Sequence, residues 1–215
     1  MSATRRYSSA LREDQMAMGR ARVLDAAAEL FLGVGYRKTT LAAIASAAGV
    51  SQQTVYNLVG GKAALLKAVY DRTLAADDES VAIVDRPDAG GVRAAPTAAE
   101  ALRRYANLVR VLHERSLTLA GLVYAQAHTG EPEVAGLVSL IEAEKLAGSQ
   151  LLVEIVEGYG PLGDGVTPEQ ARDVAWTLIS TDIAERLVRN RGWSWDAYET
   201  WLGSALVASL LGPQL

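Results

Sequence analysis

The sequence contains no cysteine. That excludes disulfides, zinc–thiolate sites and cysteine nucleophiles, and it suits a reducing cytoplasm. It also lacks any uninterrupted apolar run of about 18 residues, so no membrane span is expected. The first twelve residues are polar and basic without an apolar core, unlike a secretory leader. Strand-like alternation and internal repeats are missing as well. The motifs of all-helical enzymes are equally scarce. Neither His113 nor His128 has a Glu three residues before it, as a di-iron bundle requires. No His-Glu-x-x-His occurs, and the glycine-rich loop from Gly158 to Gly165 follows a helical pattern and lacks the Lys-Ser/Thr of a phosphate loop. We therefore expect no metal, no cofactor and no turnover, with an all-helical enzyme as the remote reading.

What is present is a soluble, globular composition: 215 residues, 50% hydrophobic and 21% charged, with a net charge of −4. The charge is unevenly placed. Met1 to Arg72 carries ten Lys/Arg against five Asp/Glu, while the rest carries eleven against twenty. A basic N-terminal third on an acidic body points to a polyanion partner at one end.

Ala, Leu, Glu and Arg dominate the periodic segments, so the chain reads as all-α. A flexible basic arm is expected over 1–17. A helix from Met18 to Val34 follows, with Val23, Ala26, Ala27, Leu30, Phe31 and Val34 on one buried face. Short helices are predicted from Thr40 to Ala48 and Gln52 to Leu58, then a longer one from Lys62 to Asp77. Asp77 to Pro96 reads as a loop. Thr97 opens a helix to Arg115, and others cover Leu117 to His128, Pro132 to Tyr159, Thr167 to Arg191 and Ser194 to Leu211. These elements divide into a helix-turn-helix domain over 18–72 and a C-terminal helical domain over 73–215, joined through the fourth helix.

The stretch AAGVSQQTVYNLVGGK, from Ala47 to Lys62, carries the functional signal. Gly49 permits a tight turn with positive φ. Ser51 can cap the following helix. Ala45 is small where two helices would cross, and Ile44, Ala48, Val50 and Val55 supply a miniature core, as in a helix-turn-helix. The second helix then shows Gln52, Gln53, Thr54 and Asn57 on faces away from Val55. Gln can hydrogen-bond adenine bidentately, and a Thr methyl can meet thymine. Tyr56 offers a hydroxyl to a phosphate, and Lys62 opens the next helix, where cation and backbone N–H groups suit an anion.

Preceded by VLDAAAELFLGVGYRK, this stretch resembles the DNA-binding domain of TetR-family transcriptional regulators. The matching residues are Phe31, Gly35, Tyr36, Thr40, Ala48-Gly49-Val50-Ser51, Tyr56 and Lys62, within roughly Arg20 to Tyr70. Leu58, Val59 and Ala63 depart from the family's usual His, aromatic and acidic residues. The resemblance implies that Thr40, Ser51, Tyr56 and Lys62 contact phosphate in a double-stranded operator, and that Gln52, Gln53, Thr54 and Asn57 face bases or nearby backbone. Arg5, Arg6 and Arg12 could add contacts from the arm. It further implies a cytoplasmic regulator, by family default a repressor of a palindromic operator released by a small-molecule effector. An activator or an effector-independent regulator is the alternative.

The C-terminal helices are apolar over more than one face, which a homodimeric four-helix bundle would cover. Ile179, Ile183, Leu187, Tyr198, Leu202, Leu206 and Leu210 are the candidates for that interface. Tyr105, Val109, Leu112, His113, Tyr124, His128, Leu152 and Trp176, with Leu108, Leu122 and Leu151, could line a pocket for a largely apolar effector. Asp182, amid apolar residues, reads as an interface or pocket polar group.

Overall fold

A computed structural model describes residues 3–76, 91–127 and 131–212, with side chains from residue 15 onward. The described residues form helices and connecting turns without a strand: α1 (Ala3–Val34), α2 (Leu41–Ala48), α3 (Gln52–Leu58), α4 (Lys62–Ala75), α5 (Ala98–Ala127), α6 (Pro132–Glu157), α7 (Pro168–Leu178), α8 (Thr181–Ala184), a π-helical segment (Glu185–Asn190) and α9 (Trp195–Leu211). The chain divides into two compact units, residues 1–78 with 122–137 and residues 79–121 with 138–215.

In the first unit α1 packs on α2, α3 and α4. Val23, Leu24, Ala27 and Phe31 of α1, and Ile44, Ala45, Ala48, Val55, Leu65, Leu66 and Val69 of α2–α4, are all essentially buried. Phe31 and Tyr36 stack with ring centroids 5.5 Å apart. Burying these side chains stabilises the domain by about 1.5–3 kcal/mol each for the large ones. The buried Thr39 hydroxyl closes the α1–α2 turn on the carbonyls of Gly35 (2.9 Å) and Leu30 (3.2 Å). Helix α1 begins at Ala3 and not near Met18, so the expected arm continues the helix.

The residues expected to form two helices, 97–115 and 117–128, make one helix, α5, as far as Ala127, and residue 128 lies outside the described residues. No Gly or Pro interrupts Leu112 to Leu117, and the Ser116 hydroxyl folds back on the Leu112 carbonyl at 2.8 Å. Thr167 caps α7 in a reciprocal box with Gln170, and Pro168 follows in the first turn. The helix expected to reach Arg191 instead ends at Leu178. Ser180 turns extended (ψ 142°), and its side chain accepts from the Ile183 amide to start α8. Tyr198, Leu202, Leu206 and Leu210 of α9 are fully buried with Leu102, Ala106, Val109, Leu152 and Val156.

Candidate DNA-binding surface

The polar side chains predicted to meet DNA lie on the outward side of α2–α4, and two of them do local structural work first. Thr40 caps α2, its Oγ1 accepting from the Ala43 amide at 3.1 Å. Ser51 caps α3, accepting from the Thr54 amide at 3.0 Å, and its hydroxyl lies 2.8 Å from that of Thr54. A cap hydroxyl that accepts still has its own proton to donate. Thr40, exposed, can therefore offer a proton to a phosphate without giving up the helix start, and so can the exposed Ser51 when the Thr54 hydroxyl is the donor of their shared bond. Between them Gly49 adopts φ 67°, and its amide satisfies the carbonyls of Ala45 and Ser46 at the end of α2.

Val55 anchors α3 with no exposure, which turns Gln52, Gln53, Tyr56 and Asn57 outward. Tyr56 is 61% exposed, a large aromatic that the domain's own core does not use. Gln53 Nε2 donates to Asn57 Oδ1 at 2.9 Å. Thr54 is half-buried. Leu58 is half-buried and ends against Gly19 of α1, where a Cβ would lie 3.6 Å from its Cδ1. It therefore joins the packing in place of the family's His.

Lys62 opens α4 with its Nζ 4.1 Å from the centre of the Tyr36 ring and 3.5 Å from the Arg37 carbonyl, to which it donates. A cation over an aromatic face gains about 0.5–1 kcal/mol at an exposed site and holds the ammonium beside the surface. Tyr36 as the seat for Lys62 was missed in the sequence, where the two residues are read as separate motif positions. An aromatic and a Lys at opposite ends of the same small domain were the available signal. Burial pushes the Tyr36 hydroxyl up to about 12, helped by the charges of Glu133 and Glu131. Arg37 and Lys38, exposed beside Thr40, add positive charge that sequence reasoning left unassigned, and Glu131 faces Arg37 at 3.9 Å.

The other predicted sites fare differently. Ile179 is buried at the end of α7, whereas Ile183 and Leu187 are half-buried. Tyr198, Leu202, Leu206 and Leu210, expected at a partner's surface, are spent on the chain's own core and present nothing outward. On α7, Gln170, Asp173, Val174, Thr177 and Leu178 line a shallow concavity of about 310 Å³, and Leu140, Tyr159 and Trp193 are further exposed apolar side chains of this unit.

Of the predicted pocket residues, Val109 and Leu152 are core, and Tyr105 packs against that core. Leu112 and Trp176 are half-buried, Tyr124 belongs to the first unit, and His128 lies outside the described residues. His113 is buried, with Nδ1 3.1 Å from the Tyr198 hydroxyl. Burial drives its pKa down to about 3, the nearby Lys145 charge adds to this, and a hydrogen bond to the Ile179 backbone opposes it. Lys145 itself bonds Thr181 at 3.0 Å and pairs with Glu142 at 3.3 Å. Asp182 is exposed and pairs with Arg186 at 2.8 Å. Among the described residues no group of three His, Asp or Glu could hold a metal ion, and no helix is long and apolar enough to cross a membrane.

Known proteins share this arrangement. The sequence profile of the family described as bacterial regulatory proteins, tetR family, matches residues 23–69, the segment that carries α2, α3 and most of α4. No curated protein sequence matches the chain. Among solved structures, a TetR-family transcriptional regulator from Rhodococcus sp. superposes with a TM-score of 0.68 at 17% identity, over 90% of this chain and 99% of that one. The transcriptional regulator FadR from Bacillus subtilis, solved with stearoyl-CoA, gives 0.65 at 18% identity, over 90% and 99%. NalD, the secondary repressor of a multidrug efflux pump in Pseudomonas aeruginosa, gives 0.64 at 21% identity, over 93% and 100%. The DNA-binding domain of the tetR family of bacterial regulatory proteins is thus matched over residues 23–69, and the fold of these regulators is matched along nine-tenths of the chain.

Proposed function

We propose that the protein is a homodimeric repressor that holds a palindromic operator and lets go when a small molecule binds its C-terminal unit. The observation that carries the DNA part is the outward face of α2–α4: two cap hydroxyls, a paired amide, an exposed tyrosine and a seated lysine above a sealed apolar core. Phosphate contacts from Thr40, Ser51, Tyr56 and Lys62 would set position, and Gln52, Gln53, Thr54 and Asn57 would sit at the base edges.

Dimerisation is best supported by α7. Val174 is 38% exposed and, with Leu178, forms the apolar centre of a concavity rimmed by Gln170, Asp173 and Thr177 on the helix that packs beside α9. The outward side of α9 offers Ser204, Ala205 and Ala208, small enough for close approach of a partner helix. Two heads on such a dimer would read half-sites about 34–36 Å apart, or a multiple of that.

An effector is supported by Trp176, whose buried indole N–H has no acceptor among the described residues, close in sequence to the break between α7 and α8. The stearoyl-CoA held by the Bacillus subtilis relative is consistent with a ligand whose greater part is apolar.

Fluorescence anisotropy with duplex DNA from upstream of the protein's own gene, against random duplex and across a salt series, tests the reading. The expected result is selective binding whose log affinity falls with log salt by about 0.9 for each phosphate neutralised. Binding without salt dependence, or none to any duplex, would sink it. Release of the bound duplex by an added compound would identify the effector.

A further inference from the structure

The hydrogen bond between Gln53 and Asn57 spans one turn of α3, where such a pair supports a helix only slightly. Both residues are exposed, neither caps a helix, and the helix start is already satisfied by Ser51. The bond does constrain chemistry. A glutamine amide has one acceptor oxygen and two N–H donors. Gln53 gives one N–H to Asn57 Oδ1, which leaves Oε1 and the second N–H side by side on the same planar group. While Asn57 presents Oδ1, turning the Gln53 amide over would bring Oε1 against it, two acceptors with no proton between them. With Asn57 in this orientation, the partner selects one orientation of the Gln53 amide before any DNA arrives.

The free edge is one acceptor next to one donor. In the major groove adenine shows the complement, the N6 donor beside the N7 acceptor. Guanine shows N7 and O6, both acceptors, and would leave Oε1 unpaired. Pre-orientation also lowers the ordering cost that a free glutamine side chain carries into a complex.

We infer that Gln53 reads an adenine in each operator half-site and that Asn57 is the positioning residue that holds its amide for that base. This rests on the DNA-binding reading above and adds the base and the division of labour between the two amides.

The full-length protein is first used to select duplexes from a randomised library. Each adenine of the enriched half-site is then replaced in turn by 7-deazaadenine, which keeps N6 and removes the N7 acceptor. At one position we expect the wild type to lose affinity about fivefold or more, and Gln53→Ala to lose nothing further. Asn57→Ala should lose most of that sensitivity. Asn57→Asp keeps the acceptor and should retain it, despite weaker binding overall. A structural role alone would not discriminate between N7 and its carbon analogue. If selection enriches no sequence, the DNA-reading function fails and the inference with it. If selection succeeds but 7-deazaadenine affects wild type and Gln53→Ala alike everywhere, or leaves Asn57→Ala as sensitive as wild type, the reading function stands and this inference is overturned.

Discussion

Thr40, Ser51 and Lys62 each serve the fold and the surface with different atoms. The cap oxygens accept from amides of their own helices, which leaves the Thr40 proton available, and the Ser51 proton too when Thr54 donates to it. Lys62 rests on Tyr36 through its charge, yet its other ammonium protons can still meet an anion. Removing Lys62 should therefore affect DNA binding much more than folding. We predict that Lys62→Ala lowers affinity for selected and random duplexes by the same factor and flattens the log–log salt slope by about 0.9 per half-site. Tyr56→Phe should also weaken all duplexes alike, because a phosphate contact carries no sequence information. An anisotropy titration in which Lys62→Ala alters sequence preference but not the salt slope would move this residue from the phosphates to the bases.

At the scale of elements, the break between α7 and α8 is the informative one. In a continuous helix the Ile183 amide would bond to the Ile179 carbonyl, but here it bonds to the Ser180 side chain. The His113 ring hydrogen-bonds to the Ile179 backbone, and Lys145 from α6 reaches Thr181 just beyond. Polar groups from two other helices thus meet the break, the buried His113 beside the Ile179 backbone and the half-buried Lys145 at Thr181. The burial of His113 has a pH signature. The groups facing His113 are the Tyr198 hydroxyl, the Lys145 ammonium and the Ile179 backbone. Its folded pKa, about 3, lies below the unfolded value near 6.5. The contribution is full above about pH 6.5 and is lost as pH falls towards 3, at up to about 1.4 kcal/mol per pH unit. Urea unfolding at pH 7.5 and 5.0 should show a larger loss for wild type than for His113→Gln. Equal losses would mean that the ring is not buried neutral.

For the whole molecule, the question is which apolar surface remains once the core is closed. The α9 residues Tyr198, Leu202, Leu206 and Leu210 are used inside, so the dimer proposed above is assigned to the exposed side of α7 and the small residues of α9. We predict a dimer that survives dilution to micromolar in sedimentation. Val174→Glu should give a 22.8 kDa species with unchanged helical circular dichroism and much weaker operator binding, since one head alone reads one half-site. A wild-type monomer, or a Val174→Glu dimer, would reject this face.

The DNA-facing domain was legible in the sequence because its determinants are local. Caps at Thr40 and Ser51, the positive φ at Gly49 and the inward Val55 all follow from residues within a few positions of one another. Their spacing leaves one way to turn Gln52, Gln53, Tyr56 and Asn57 outward. The C-terminal unit was not legible to that degree. A helix such as α9 that is apolar on nearly all sides has no single face, so composition cannot say which side meets its own chain and which meets a partner. Ser180 could have sat within a helix or begun a new one, and that choice went with partners on α5 and α6, far away in sequence. Local hydrogen bonding and periodicity determined the recognition element from the sequence alone. The fate of Tyr198 and of the helix at Ile179 was decided only by tertiary packing, because burial there depends on what residues from distant helices fill.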